Sequence, residues 1–301
     1  MHLHTLATVA VSVLLAAPTI GDAAEEGQRS DIIGAITRHI SAEDDSLVAL
    51  AQRNRVGFIG LRAANPGLNA WVPGKGTEIV LPTAHILPEG PRRGIVINLP
   101  ELRLYHFRPG KPPVSYPIGI GRDGRETPAG LTFVEAKRVN PTWYPTPSIR
   151  ADKPELPAAV PPGPDNPLGS RGIYLAFGTY VIHGTNKPAG VGRYVSRGCI
   201  RMYEEDVQEL YEQVDIGTPV SIVYQPVKIG WSDGALYVEV HPNREQANEI
   251  EATGTFSAAS ELGVEQRIFD KAGDAERVDW DSVARALRER RGLPVRITFD
   301  D

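Results

Sequence analysis

The sequence predicts a mainly β fold of sandwich or barrel type with one clear helix, preceded by a small α+β unit. Three observations predict it. Between Arg93 and Tyr224, strand-length runs such as "GIVINLPELRLYHF", "VSYPIGI", "LTFVEAK" and "TPVSIVY" are bounded by Gly and Pro turns. In that region only "EEDVQELYEQV" has helical spacing, with Val207, Leu210, Tyr211 and Val214 at i, i+3, i+4 and i+7. Ahead of it, residues 42–87 fit strand, helix, helix and strand into under fifty residues.

The elements follow in order. Thr5 to Ala17 is an apolar run followed by Pro18 and small residues, which reads as a secretory signal peptide over residues 1–24 with cleavage after Ala23 or Ala24. The run is short for the ~20 residues of a membrane span. The mature chain is therefore expected to be exported, soluble and periplasmic. "DIIGAITRHI" is a lead-in. Asp44 or Asp45 suits the cap of a helix carrying Leu47, Leu50 and Ala51. A second helix fits 57–64, stopping before Asn65-Pro66, and "GTEIVLP" closes the unit as a strand. "GIVINLPELRLYHF" turns at Leu-Pro-Glu and predicts a hairpin. Residues 140–172 are too rich in proline for regular structure, and a loop of that length is usually a lid or cleft wall. "IYLAFGTYVIHG" returns to strand. Residues 225–301 predict a C-terminal extension packed on the preceding domain, with a strand at "ALYVEVHP" and a helix at "WDSVARALRERRG" capped by Asp281. No internal repeat is evident.

Composition narrows the function. A chain of 301 residues with 41% hydrophobic and 23% charged residues is an ordinary globular protein of two or three modest domains. A net charge of −5, with no basic stripe, gives little drive toward nucleic acid or anionic membrane. The histidines at 85, 106 and 241 are scattered without metal-ligand spacing, so no metal site is expected.

Cys199 is the one cysteine in the chain. In an oxidising compartment it has no intrachain partner, so it is a buried structural thiol, half of an intermolecular bridge, or a nucleophile kept unpaired for chemistry. Arg197 and Arg201 flank it, and a helix beginning near Tyr203 brings a positive dipole end; each favours a thiolate. His183, sixteen positions upstream, is available as base if the fold brings "VIHG" beside "SRGC". Gly198 suits a tight turn whose amides cradle an oxyanion, and Gly184 keeps the cleft open. Ser196 orients the histidine, binds substrate or satisfies a turn amide. Arg201 either binds a substrate carboxylate or sits in a surface ion pair. Trp143 and Tyr144 either line the cleft or pack the core. Glu204, Glu205 and Asp206 read as a complement to the helix dipole.

"HGTNKPAGVGRYVSRGCIRM" resembles the signature of the L,D-transpeptidase (YkuD) family: a histidine, a glycine-rich loop, then Ser-x-Gly-Cys-x-Arg. The resemblance runs from about 94 to 224 and includes "NPTWYPTPSIR" and "GPDNPLG". Residues 42–87 resemble a LysM domain, a binder of N-acetylglucosamine-containing glycans, through "DDSLVALAQRN", "AANPGLN" and "GTEIVLP". That arrangement matches the ErfK-type branch. One position departs: the residue before Gly198, often histidine in the family, is Arg197. The resemblance implies a mainly β catalytic domain with a helix beside the active site, and no metal or organic cofactor. It also implies that Cys199 attacks the third residue of a peptidoglycan stem, typically diaminopimelate, and releases D-alanine. The thioester then passes to an amine, giving a 3→3 cross-link or a link to an outer-membrane lipoprotein lysine, with His183 moving the protons. Two alternatives stay open: an L,D-carboxypeptidase that gives the same acyl-enzyme to water, and a non-catalytic peptidoglycan-binding protein.

Overall fold

The computed structural model describes residues 30–257 and 261–299; the signal-peptide reading of residues 1–24 lies outside them. The first elements are strands β1 (Ile32–Gly34) and β2 (Thr37–Ile40), helices α1 (Leu47–Arg53) and α2 (Phe58–Ala64), and strands β3 (Glu78–Leu81) and β4 (Ala84–Ile86). β2 and β3 pair antiparallel from Thr37↔Leu81 to Ile40↔Glu78. The strand–helix–helix–strand unit therefore opens before residue 42, inside the expected lead-in. β2 has no fully buried residue, so its pattern carries no strand alternation to read. The α1 cap is Ser46, not Asp44 or Asp45: Ser46 Oγ accepts the Ala49 N–H at 3.2 Å. Asp45 is buried instead, accepting from the Ala42 N–H (2.8 Å) and pairing with His39 (2.6 Å) and Arg53 (3.0 Å).

Next come β5 (Gly94–Asn98), β6 (Arg103–Phe107), β7 (Val114–Pro117), β8 (Ile120–Gly121), β9 (Gly130–Val139), helix α3 (Pro147–Asp152), β10 (Arg171–Leu175), β11 (Val181–His183), β12 (Tyr194–Ser196), β13 (Ile200–Arg201), helix α4 (Glu204–Gln213) and β14 (Pro219–Val223). Eight of these strands build one curled sheet, a half-barrel ordered β13-β11-β10-β9-β14-β5-β6-β7, while β8 and β12 pair separately in parallel. β5 and β6 form the expected hairpin, from Gly94↔Phe107 to Asn98↔Arg103. The sheet is mixed: β14 runs parallel to β5, and β11 parallel to β13. α3 is a short helix within the proline-rich segment, where the sequence suggests none. Thr146 caps it at the Ile149 N–H and Pro147 takes its first turn, where a missing N–H costs nothing. α4 packs beside β10, burying Val207 and Leu210.

The last elements are β15 (Val227–Ser232), β16 (Ala235–Val240), helices α5 (Arg244–Thr253), α6 (Val264–Ala272) and α7 (Trp280–Glu289), and β17 (Val295–Arg296). The three strands form a sheet with its own core of Val227, Ile229, Leu236, Val238, Ile268 and Ile297. α7 is capped by Asp279, which accepts the Ser282 N–H at 3.0 Å, and not by Asp281. This region packs on the first unit as well as on the central sheet: β15 and β16 lie against β4, and α5 against α2. The first unit in turn shares one continuous core with the central sheet, running from Leu47, Leu61 and Ile79 into Ile95, Ile118 and Ile200.

Where the three parts meet, charges are buried together. The Lys228 ammonium lies 2.9 Å from Glu101 and 3.1 Å from Glu239 and donates to Ile86 O at 2.6 Å. His241 is 2.9 Å and His85 3.3 Å from Glu239. The histidines at 85 and 241, scattered along the chain, are thus neighbours in space.

Candidate active site

β10 and β11 form a hairpin with Gly172↔His183 and Tyr174↔Val181 in register. β13 then joins β11 in parallel, with Ile182↔Ile200 and His183↔Arg201. In a parallel ladder, paired residues share a face, as do residues two apart on one strand. His183 and Arg201 therefore project to one side, and Cys199 lies immediately before β13, close enough to Arg201 to feel its charge. This juxtaposition needs β13 to add at the sheet edge, which Gly119 secures by exchanging both backbone hydrogen bonds with Arg201 at 2.8 Å.

The turn before Cys199 is closed from inside. Ser196 Oγ accepts the Gly198 N–H at 3.0 Å and donates to Cys199 O at 2.6 Å. Thr127 Oγ1 donates to Gly198 O at 2.7 Å. Gly198 sits at φ 108°, and a Cβ there would lie 2.7 Å from the Tyr180 ring, so both backbone and packing demand glycine. Ser196 is buried and makes no bond to His183. The Gly198 amide is held by Ser196, and the Gly184 N–H is spent on Arg171 O at 3.3 Å. Neither glycine amide is free to cradle an oxyanion. Gly184 is small for another reason: a side chain there would strike the Glu204 carboxylate.

Cys199 is half-buried, and its thiol donates to Thr179 O at 3.7 Å. Burial raises the thiol above its usual range, against the opposing Val181 N–H and the Arg201 charge. Burial also pushes His183 down to about 4, assisted by Arg201 and opposed by the Gly184 carbonyl. The resting pair is therefore neutral thiol and neutral imidazole, not the thiolate that the flanking arginines suggest. Only one of those arginines acts on the sulfur. Arg201 influences both Cys199 and His183, whereas Arg197 turns away to Asp152 of α3. His183 Nδ1 lies 2.5 Å from Gly184 O, and a carbonyl only accepts, so Nδ1 carries the hydrogen. Nε2 is left as the proton acceptor. Among the described residues no hydrogen bond joins it to Cys199, so the sulfur must turn from Thr179 before it meets the imidazole.

Arg201 is half-buried, and its guanidinium makes no hydrogen bond or ion pair among the described residues, although burial lowers its affinity for a proton. An unpaired guanidinium beside Cys199 is suited to an anionic group of a substrate. Trp143 is half-buried in the proline-rich loop, where its backbone exchanges hydrogen bonds with Val160 (2.9 and 2.8 Å).

Residues 92–222 match the YkuD L,D-transpeptidase catalytic domain. The chain is 40% identical to the Probable L,D-transpeptidase YcfS of Escherichia coli K12, over 97% of this chain and 93% of that protein. The chain belongs to the L,D-transpeptidase family. It is also 40% identical to the Probable L,D-transpeptidase ErfK/SrfK of the same strain (80% of this chain, 79% of that protein) and 39% identical to the Probable L,D-transpeptidase YbiS (82% and 81%).

Two residues of this L,D-transpeptidase site escape a reading of the sequence. Glu204 does not simply complement its own helix. Its carboxylate accepts the Thr185 N–H at 2.7 Å and the Ser170 N–H at 3.1 Å, pinning the chain just beyond His183. Tyr174 stands across β10–β11 from Val181; burial raises its phenol, Arg138 opposes this, and it is close enough to Cys199 for an ionised thiolate to add to the rise. The register that places Tyr174 was available in the hairpin pattern; the reach of Glu204 was not. As to metal ligands, His85, Glu101 and Glu239 offer donor atoms within 4.8 Å of one another, but the Lys228 ammonium sits between the two carboxylates and supplies their positive charge.

Proposed function

We propose that this chain is a cysteine-dependent L,D-transpeptidase that acts on peptidoglycan stem peptides in the periplasm. The observation that carries the reading is the β11–β13 register, which pairs His183 with Arg201 and leaves Cys199 immediately before β13, with the Arg201 charge acting on both His183 and Cys199. The Cys199 thiol swings from Thr179 toward His183 Nε2 and gives up its proton as sulfur attacks the carbonyl of the third stem residue. The C–N bond to D-alanine breaks, and the imidazolium returns the proton to the leaving amine. The thioester that remains is attacked by an amine, which loses a proton to His183 while the thiol is regenerated. With both glycine amides engaged, the Cys199 amide is the donor assigned to the developing oxyanion. Arg201 holds a stem carboxylate.

The finer calls rest on narrower support. The order of β2, α1, α2 and β3 supports a LysM-type glycan-binding unit, and the loop after α2 exposes Trp71 and Val72. The apolar run Thr5–Ala17 supports export. The acceptor is a second stem or a lipoprotein lysine; water would make the enzyme a carboxypeptidase. Incubation with tetrapeptide muropeptides tests the reading, and 3→3 dimers are the expected product. Tripeptides alone indicate hydrolysis, and no change sinks the enzyme assignment. Mass spectrometry with a carbapenem is expected to show a covalent adduct that Cys199→Ala abolishes; an adduct surviving in that variant removes the proposed nucleophile.

A further inference from the structure

Arg197 stands two residues before Cys199, where its charge does not reach the sulfur. One end of its guanidinium, Nη2, pairs with the Asp152 carboxylate at the end of α3. The other, Nη1, is shut away from solvent and has no acceptor. A buried donor without a partner is uncommon and calls for a reason. The Asp152 carboxylate is half-exposed and also lies in the field of Arg125 and Arg122. The Arg122 backbone is fixed to the nucleophile's turn, donating to Ser196 O at 3.0 Å. Three cations thus surround one acid. The nearby acids Asp123 and Glu126 are turned to Arg244 at 3.0 and 4.0 Å.

The strap that carries Asp152 is firm at its roots and loose at its tip. The Trp143–Val160 pairing and the buried Asn166 amide, which donates to Pro141 O (2.8 Å), Val160 O (3.1 Å) and Pro161 O (3.1 Å), fasten the roots. α3 buries none of its side chains. Among the described residues, the Arg197 pair is the only side-chain bond from α3 to another part of the fold. Its Asp152 side faces solvent, where an ion pair is weak and readily exchanged.

We propose that Arg197 reads a carboxylate of the acyl donor next to the scissile bond, and that Asp152 occupies that position until the donor arrives. The inference rests on the transpeptidase reading. A donor carboxylate has the chemistry of Asp152 and can use Nη1 as well as Nη2, a bidentate pair the protein alone does not complete. Its arrival frees α3, and its departure lets the strap return. Two donor carboxylates have this chemistry: that of the terminal D-alanine and the side-chain carboxylate of diaminopimelate.

Binding to the full-length Cys199→Ala chain, which holds peptide without turning it over, tests the inference. Three peptides are compared: the tetrapeptide stem, its D-alanine carboxamide, and the form amidated on the diaminopimelate side chain. One amidation is expected to raise Kd about tenfold, as for loss of a charge-assisted pair, and which one does so identifies the carboxylate. Adding Arg197→Gln should weaken the unmodified peptide by the same factor and leave that amidated form unchanged. Adding Asp152→Asn should tighten the unmodified peptide by removing its competitor. Equal affinity for all three peptides, equal weakening of all three by Arg197→Gln, weaker binding with Asp152→Asn, or no binding overturns the inference. The amidation and Asp152→Asn arms retain Arg197, so they stand even if its replacement does not fold. Should wild-type enzyme bind the stem yet leave it intact, the transpeptidase reading fails separately.

Discussion

In the proposed mechanism, His183 is poised as a base because burial keeps it neutral, not because it is paired with a thiolate. Its pKa of about 4 leaves the imidazole unprotonated throughout the neutral range. Acylation should therefore be flat from neutral pH down to about 5 on the histidine side and fall as pH approaches 4, measured by stopped-flow carbapenem acylation. A rate that falls near 6.5 would show an imidazole at its ordinary value. Stability moves in the same direction. The folded-state value lies below the unfolded value, so between about 6.5 and 4 the unfolded chain binds more protons. Stability is full above 6.5 and is lost as pH falls toward 4, by about 3 kcal/mol for His183. His85 is held at about 4, with burial the main cause, and adds to this loss. Urea midpoints at pH 7 and pH 4.5 check it.

At the scale of elements, the site is a strand, a turn, a strand and a helix start held in register by side chains from outside. Glu204 satisfies two backbone donors that no strand partner reaches. Glu204→Ala leaves the amides of Ser170 and Thr185 without acceptors, a cost of about 1–3 kcal/mol. The same change loosens the chain that carries His183, so kcat should fall about tenfold to a hundredfold; unchanged turnover with a lowered melting point would assign Glu204 to stability alone. Several elements were legible because their periodicity is strong: the β5–β6 hairpin, α2 and α4. Others were hidden for stated physical reasons. α5 buries only Gln246, Ala247 and Ile250, too narrow a stripe to stand out. Its real signals are the reciprocal Asn243–Gln246 capping bonds and the left-handed Gly254. The caps of α1 and α7 were misplaced because several acids and hydroxyls lie together in sequence, and only geometry shows which accepts the helix N–H.

For the whole molecule, the decisive feature is that its parts are not beads on a string. The first unit and the central sheet share a core, and the C-terminal sheet is riveted to both through Lys228. The Lys228 ammonium offsets two carboxylates that are otherwise sealed from water. Lys228→Met should therefore destabilise the chain by about 3–5 kcal/mol, the usual cost of stranding buried charge. The loss should appear in one cooperative transition common to all three parts. A variant that melts like wild type, or that loses only the C-terminal region, would refute the rivet. Arg55 adds a second tie, pairing with the buried Asp206 and with Glu209 (3.0 Å) on α4. The active-site helix thereby rests on the first unit.

By itself the sequence determined the mainly β architecture, the β5–β6 hairpin, the helix beside the site, and the family, because each rests on local pattern: alternation, spacing and a contiguous motif around Cys199. Only the tertiary structure decided the protonation of the pair, the engagement of the Gly184 and Gly198 amides, the reach of Glu204, the turning of Arg197 to Asp152 and the gathering of His85, Glu101, Lys228, Glu239 and His241. The reason is the same in each case. Desolvation and charge pairing depend on which distant segments are brought within a few ångströms, and no pattern along the chain records that distance.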